Sequence, residues 1–146
     1  MQLLFKKEYV INSEIEKVWN FLTDIKMVTD CIPYLENLQI ESPTKFTGKA
    51  KPPYSFIRGR FKINSEIEII QEKESLKIIV NGSSIGSSLE IRMHVVILPA
   101  DGTKIQLDVE VKTFGLLKPV PKSLIYKAVE DIEKSMLSNI KEKLES

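Results

Sequence analysis

The side chains best suited to nucleophilic or acid–base chemistry are few in this 146-residue chain. The single histidine, His94, lies on the charged parity of an alternating segment, which predicts an exposed imidazole. The single cysteine, Cys31, has no histidine near it in sequence to activate it, so we expect it to pack as a small apolar side chain. One His and one Cys at distant positions do not make a zinc site. We therefore expect no catalytic residue, no metal site and no cofactor.

Two further patterns resemble sites but favour structural roles. Residues 81–88 are rich in Gly and Ser, as phosphate-binding loops are, but such loops open a helix and this stretch lies between predicted strands. A hairpin with a bulge, or a flexible loop, is the favoured interpretation. Acidic residues on the polar parity of the strands are better explained as cross-strand partners of Lys62, Arg92 and Lys112 than as an acid–base pair. They are Glu66, Glu68, Glu90, Asp108 and Glu110.

Composition restricts the partners and the compartment. The formal net charge is +1, which gives no electrostatic reason to expect a nucleic acid. The lone cysteine fits a reducing setting, and no signal peptide or apolar run of membrane-spanning length is visible, so we expect a cytoplasmic protein. Abundant Ile, Lys and Glu are typical of thermophiles.

The longest predicted element is a helix over residues 121–144. Its apolar residues follow steps of three and four, which place them on one face, and prolines mark its start. The apolar stripe needs a second wall, and the rest of the chain must supply it. The residues of the stripe are Leu124, Ile125, Ala128, Val129, Ile132, Met136, Leu137, Ile140 and Leu144, and the charged residues between them, Glu133 included, are predicted to face solvent.

The remaining elements predict a sheet with two short helices. Residues 3–11 form a first strand, a capping box at residues 13–16 starts a helix over 14–22 with Trp19 in the core, and Asp24 caps a second helix over 25–29. Strands follow at 35–42 and 45–51, and apolar residues then alternate across 60–69, 76–80, 88–97 and 104–112, with a hairpin at Asp101-Gly102. We predict one α+β domain over residues 1–146, with an antiparallel sheet that is apolar on one face and the long helix across it.

Short motifs within these elements carry a resemblance to a known family. They are Val18-Trp19, Asp24, Cys31-Ile32-Pro33, the run Phe46-Thr47-Gly48-Lys49-Ala50 and Gly59-Arg60-Phe61. The chain resembles the START-like (SRPBCC, helix-grip) superfamily and, more closely, the CoxG family of carbon monoxide dehydrogenase subunits. The resemblance implies about seven antiparallel strands curved around a long C-terminal helix, with two short helices after the first strand. Members of the family usually have Gly after Cys-Ile-Pro, where this chain has Tyr34.

The family also implies a function. It suggests a fold that binds hydrophobic ligands and a link to molybdenum hydroxylases of the carbon monoxide dehydrogenase type, in maturation, membrane recruitment or quinone delivery. The partners implied are a hydrophobic small molecule, a molybdenum hydroxylase or its maturation factors, and a transient membrane contact. A cyclase, hydratase or hydrolase is the weaker alternative, because we find no inward histidine and no paired inward carboxylates.

We therefore expect a non-catalytic carrier of a lipid or quinone-like molecule, bound between the sheet and the long helix. Small residues at Gly48, Ala50, Gly82 and Gly86 favour a cavity; the alternative is a full interior with the loops packed on each other. The expected cavity residues are Phe61, Ile63, Met93, Val109, Val111, Ile125, Val129, Ile132 and Met136. Two apolar loops supply a movable lip of Tyr54, Phe56, Leu116 and Leu117.

Overall fold

The computed structural model describes residues 2–145, so Met1 and Ser146 of the predicted domain lie outside the described residues. Within that range the chain forms an antiparallel sheet of seven strands in the order β1-β7-β6-β5-β4-β3-β2. The strands are β1 (Gln2–Ile11), β2 (Leu35–Ser42), β3 (Lys45–Ala50), β4 (Phe61–Gln71), β5 (Ser75–Ser84), β6 (Ser87–Ala100) and β7 (Gly102–Gly115). The helices are α1 (Ile15–Leu22), α2 (Ile25–Thr29) and α3 (Lys122–Leu144). The predicted fold class is confirmed.

The register of the sheet explains its apolar inner face. Ile67 of β4 pairs with Ile78 of β5, which pairs with Met93 of β6, then Val109 of β7 and Phe5 of β1. Because side chains alternate between the faces of a strand, one such row places apolar side chains on the same face across five strands. The alternation in sequence therefore determines which face needs a cover.

Two tight hairpins connect the long strands. Ser84 pairs with Ser87, which leaves only Ile85 and Gly86 in the turn, and the ladder on either side continues without a register shift. The hairpin predicted there is confirmed, but the bulge predicted with it is absent. At the next hairpin Gly102 has a φ of +96°, a region that glycine enters without steric cost, and the predicted Asp101-Gly102 turn is confirmed.

The two short helices begin differently. Asp24 caps α2 as predicted, since its carboxylate accepts hydrogen bonds from the amides of Lys26 (3.1 Å) and Met27 (3.4 Å). The predicted capping box before α1 is wrong: the N-cap is Glu14, and no side chain caps it. Ser13 instead lies at a strand junction, where its carbonyl accepts a hydrogen bond from the Thr103 hydroxyl at 2.8 Å.

Helix α1 closes one end of the sheet. Val18, Trp19 and Phe21 are buried and pack with the inward residues Ile97 and Ile105 of β6 and β7. The Trp19 indole N–H donates to a Glu72 carboxylate oxygen at 3.1 Å, which satisfies the polar atom of a buried tryptophan. The predictions of a core Trp19 and of a packed Cys31, which is also buried in this cluster, are confirmed.

Helix α3 begins one residue after the predicted start, with Pro121 as its N-cap. Only Ile125, Ala128 and Leu144 of its apolar stripe are buried, so the stripe is less covered than the sequence predicted. No helix within residues 2–145 has the length and apolar composition needed to cross a membrane.

The turn after Pro33 holds Tyr34 at a φ of +65°. This left-handed conformation costs a residue with a Cβ about 1–2 kcal/mol and costs glycine almost nothing. Tyr34 thus keeps the backbone conformation of a glycine position, at a cost in stability.

We predict that Tyr34→Gly is more stable than Tyr34→Ala by about 1 kcal/mol, because both remove the exposed ring and only glycine removes the strain. Urea unfolding of the two variants measures the difference. Equal midpoints would contradict the assignment of strain to this residue.

Candidate functional site

One flank of α3 is attached to the edge strand β1 along the length of the helix. The Tyr126 hydroxyl donates to the Leu4 carbonyl at 3.4 Å, and its ring meets Phe5 edge-on with centroids 5.7 Å apart. Further along, the Tyr9 hydroxyl donates a short hydrogen bond to Glu133. Near the end of the helix, the amide of Asn12 donates to Glu145 at 2.7 Å. These contacts position the helix over the β1 side of the sheet.

The opposite flank of α3 is attached near both ends of the helix. The Asn139 side-chain amide donates to the Cys31 carbonyl at 3.0 Å, and Lys143 forms an ion pair with Asp30 beside it. Towards the other end of the helix, the Tyr54 hydroxyl donates to the Ala128 carbonyl at 3.4 Å.

The apolar interior is divided into two buried clusters, one under each end of α3. The first, at the α1 end, contains Leu144, with Ile140 packed against it. The second contains Ile125 of the first turns of α3 together with Leu3, Val109 and Val111 of the sheet. Met93 and Leu107, both half-buried, pack against both clusters. The helix is therefore anchored at its two ends.

The middle of the interior is less well packed. Ile132 and Met136 of α3 are half-buried and belong to neither cluster, and the same holds for Ile63 and Val80 on the inner face of the sheet. These inward apolar side chains are incompletely covered, whereas a tightly packed core would bury them. We refer to these four residues as the mid-helix opening.

The predicted cavity residues divide by burial into two groups. Phe61, Val109, Val111 and Ile125 are buried packing residues. Ile63, Met93, Val129, Ile132 and Met136 are half-buried, and of these Met93 and Val129 pack against the buried clusters.

The four residues of the predicted lip also differ in burial. Tyr54 and Phe56 are half-buried and stack with centroids 5.6 Å apart and an interplanar angle of 11°, in a loop that touches α3 through Tyr54. Leu117 is only 2% exposed and forms part of the packed interior. Leu116 is exposed, but it packs on the β5–β6 turn at Gly86 rather than beside Tyr54. Of the four predicted lip residues, Tyr54 and Phe56 lie beside α3.

At the three glycines expected to leave space, Gly48, Gly82 and Gly86, neighbouring side chains already occupy that space, which corrects this part of the prediction. A Cβ on Gly48 would lie 2.8 Å from a Leu35 methyl, and one on Gly82 would lie 3.2 Å from an Ile63 methyl. At Gly86 the neighbour is Leu116. The opening thus comes from the incomplete cover by α3 and not from missing side chains in the sheet.

Two concavities lie outside the space under α3. One, of about 400 Å³, lies between α2 and β2 and is lined by Lys26, Thr29, Asp30, Ile32, Leu35, Leu38 and Ile40. The other, of about 640 Å³, is lined mainly by outward-facing residues of the sheet: Leu4, Phe5, Lys6, Lys77, Arg92, Met93, His94, Asp108, Val109 and Glu110. His94 is exposed there, as predicted.

The contact between Glu133 and Tyr9 was missed by the sequence analysis, which placed Glu133 on the solvated face. One carboxylate oxygen of Glu133 accepts from Tyr9, and the other is buried without a hydrogen-bond partner among the described residues. Burial, and then the hydrogen bond to Glu133, raises the pKa of the Tyr9 phenol. The available signal was Tyr9 itself, a polar residue on the same strand parity as the buried Leu3 and Ile11.

The groups considered for chemistry occupy structural positions. Burial raises the pKa of the Cys31 thiol, and Lys143 only partly opposes this, so the reactive thiolate is disfavoured. Two acidic residues of the outer face pair across strands, Glu66 with Lys45 at 3.9 Å and Asp108 with Lys6 at 3.7 Å. The cross-strand partners predicted for Lys62, Arg92 and Lys112 are wrong: Arg92 pairs with Glu90 and Lys112 with Glu110 within one strand, and among residues 2–145 neither Lys62 nor Glu68 has an ion pair. Within residues 2–145 no three His, Cys, Asp or Glu side chains converge as metal ligands would.

Solved structures identify the class of fold. A START superfamily protein from Mycobacterium smegmatis superimposes with a TM-score of 0.69 at 15% identity, covering 97% of each chain. A conserved protein from Geobacillus kaustophilus gives 0.88 at 15% identity, over 97% of this chain and 95% of the other. A protein from Thermus thermophilus gives 0.73 at 15% identity, over 97% of both. The chain therefore has the START-like, helix-grip fold.

The family follows from the sequence. The profile of CoxG, a subunit of carbon monoxide dehydrogenase, matches residues 8–145, and the chain belongs to this family. No curated protein matches the sequence.

The attachment of α3 to β1 yields a stability prediction. Tyr9→Phe should cost about 2 kcal/mol, because it leaves a buried carboxylate with neither oxygen hydrogen-bonded. Tyr126→Phe, which removes a longer and more exposed hydrogen bond, should cost less than about 1 kcal/mol.

The contribution of Tyr9 to the free energy of unfolding should also depend on pH. Because its pKa is raised from 10.0 on folding, the stabilisation is complete below about pH 10 and is lost as the pH rises through the folded-state pKa. Denaturant unfolding of wild type and both variants at neutral and alkaline pH measures this. A Tyr9→Phe deficit that stays constant at alkaline pH would contradict it.

Proposed function

We propose that the chain is a non-catalytic carrier of a hydrophobic small molecule, lipid-like or quinone-like, held beneath the middle of α3. The observation that carries the proposal is the mid-helix opening, where apolar inward side chains stay half-buried between two filled clusters. Membership in the CoxG family and the START-like fold support a binding role.

The binding energy would come from apolar burial. Each Å² of apolar surface removed from water contributes about 25 cal/mol, and the half-buried side chains of the opening still have such surface to bury. Ile132 and Met136 would cover the ligand from the helix, and Ile63 and Met93 would contact it from the sheet. Methionine is flexible and polarisable, which suits a surface that adapts to an apolar ligand.

Tyr54 and Phe56 would gate the opening. Their loop reaches α3 through the Tyr54 hydroxyl, which contacts the Ala128 carbonyl at 3.4 Å and the Asp131 carboxylate, and through packing of Phe56 on the second cluster. Moving this loop requires the loss of few contacts, so ligand can enter without disturbing the anchored ends of the helix.

The test is extraction of the purified protein with organic solvent, followed by mass spectrometry of the released lipids and quinones. Val129→Trp should reduce the bound ligand at least about tenfold, because the indole fills the space beside the opening. Leu124→Trp is the matched control, since Leu124 is exposed on α3, and it should retain the ligand. Absence of ligand from wild type, or full retention by folded Val129→Trp, would count against a carrier.

A second candidate is an accessory protein that docks on a molybdenum hydroxylase of the carbon monoxide dehydrogenase type, in maturation or membrane recruitment. The family favours it, because its members are described as a subunit of carbon monoxide dehydrogenase. The two apolar loops would then form a protein interface rather than a ligand gate.

Capture of a purified molybdenum hydroxylase on the immobilised chain tests this candidate. Leu116→Asp should abolish capture while the extracted ligand is retained, because Leu116 is exposed and lies away from the opening. No capture by wild type would exclude docking, and simultaneous loss of ligand would assign Leu116 to the carrier instead.

A further inference from the structure

A buried carboxylate oxygen beneath α3 lacks a hydrogen-bond donor. Oε1 of Glu133 accepts from the Tyr9 hydroxyl, whereas Oε2 is shielded from solvent and no donor within residues 2–145 reaches it. Buried polar atoms are almost always hydrogen-bonded, because an unpaired acceptor loses the bonds to water that it had in the unfolded chain. Oε2 is therefore a candidate contact for a group from outside the chain.

The position of Glu133 places this oxygen next to the mid-helix opening. Glu133 directly follows Ile132 and lies three residues before Met136, a spacing at which side chains are neighbours on a helix surface. Tyr9 has the same strand parity as the buried Leu3 and Ile11, so its bond to Oε1 holds the carboxylate on the β1 side of the interior. The opening thus has apolar walls and a polar atom held at its β1 side.

The charges around Glu133 favour an uncharged partner. Lys7, two residues before Tyr9 on the same parity of β1, is half-buried, and no ion pair is found for it among residues 2–145. Glu130 is exposed and pairs with Lys134 at 3.2 Å, so its charge is turned to solvent. A carboxylate on a ligand would be repelled by Glu133, and an ammonium group would be repelled by Lys7. A hydroxyl group can donate to Oε2 without either repulsion.

We propose that Oε2 of Glu133 accepts a hydrogen bond from a hydroxyl group of the carried molecule, which makes Glu133 the residue that selects an uncharged ligand with a hydroxyl-bearing end. The inference rests on the proposed carrier function and names the class of its ligand. The apolar body of the ligand would lie under Ile132 and Met136, with its hydroxyl end towards β1. The contact is a hydrogen bond without proton transfer, and Oε1 keeps its bond to Tyr9, so α3 stays in place.

A site of this kind discriminates against ligands that have no donor. A bound molecule without a hydroxyl leaves the carboxylate oxygen buried and unpaired, and sites built to bind a hydroxyl reject such analogues strongly. A hydroxyl ligand instead forms a charge-assisted hydrogen bond, which is about twice as strong as one between uncharged groups. Alcohols should therefore bind more tightly than ethers or carboxylates of the same size.

The test compares two probe molecules of identical composition, decanol and its isomer methyl nonyl ether, by equilibrium dialysis against the full chain. Wild type should bind decanol at least about tenfold more tightly, since only the alcohol donates to Oε2. Glu133→Gln should reduce this preference to about twofold, because an uncharged amide accepts more weakly and can donate to the ether oxygen. The amide can still accept from Tyr9, so the variant should keep the contact that positions α3.

Two further variants serve as controls. Glu130→Gln makes the same chemical change on the exposed side of α3 and should keep the tenfold preference. Val129→Trp should weaken the binding of both isomers alike, which assigns that binding to the opening. Decanoate should bind wild type about tenfold more weakly than decanol, because Glu133 repels its carboxylate.

Three results would overturn the proposal: equal binding of the two isomers by wild type, an unchanged preference in folded Glu133→Gln, or decanoate bound as tightly as decanol. Failure of this inference is distinguishable from failure of the carrier function. When both isomers bind equally well, the carrier function stands and the role of Glu133 is refuted. When wild type binds neither isomer and releases no ligand on extraction, both are refuted.

Discussion

The structure depends on one geometric constraint, the cover of a wide apolar sheet by a single narrow helix. Seven strands about 4.8 Å apart span about 29 Å, whereas a helix with its side chains is about 10–12 Å across. Helices α1 and α2 cover one end of the sheet, and α3 covers a strip beside β1. Inward apolar residues such as Ile63 and Val80, on strands farther from β1, remain half-buried for this reason. The incomplete cover of the mid-helix opening therefore results from the width of the sheet relative to the helix.

Polar contacts at the flanks compensate for the limited burial of α3. Only three residues of its apolar stripe are buried, yet the helix is tied to β1 through Tyr126 and Tyr9 and to the α2 region through Asn139. With both ends packed into separate clusters, the middle of the helix can remain incompletely covered without loss of position. For the proposed carrier, such a site would need little reorganisation on binding, which would lower the free-energy cost of association.

Much of the fold could be predicted because it rests on local periodicity. The alternation of apolar and polar residues predicted the strands. Apolar residues at steps of three and four predicted α3, and Asp24 predicted the start of α2. The capping box at Ser13 is absent because the helix begins one residue later, with Glu14 as its N-cap. Ser13 is instead held at a strand junction by Thr103, 90 residues along the chain, a contact that the local sequence does not show. The space expected at Gly48 is filled by Leu35 of the neighbouring strand, a contact set by the register of β2 and β3.

The candidate site could be predicted only in part, because the exposure of its side chains depends on long-range contacts. Its residues were expected from their strand and helix parity, but parity does not distinguish a packed side chain from one that lines an opening. Val109 and Met93 are paired in register and face inward together, yet Val109 is buried and Met93 is half-buried between the two clusters. Which side chains stay accessible depends on where α3 lies, and long-range contacts such as Tyr9 with Glu133 fix that position.

The contact between Tyr9 and Glu133 also bears on the enzymatic alternative. A general acid or base must come within hydrogen-bond reach of its substrate. Glu133 has one oxygen engaged by Tyr9 and the other buried away from solvent, and the raised pKa of Tyr9 keeps its proton on the phenol. This inward polar pair therefore serves to position α3 against β1. Through Oε1, the Glu133 carboxylate is thus committed to holding the helix.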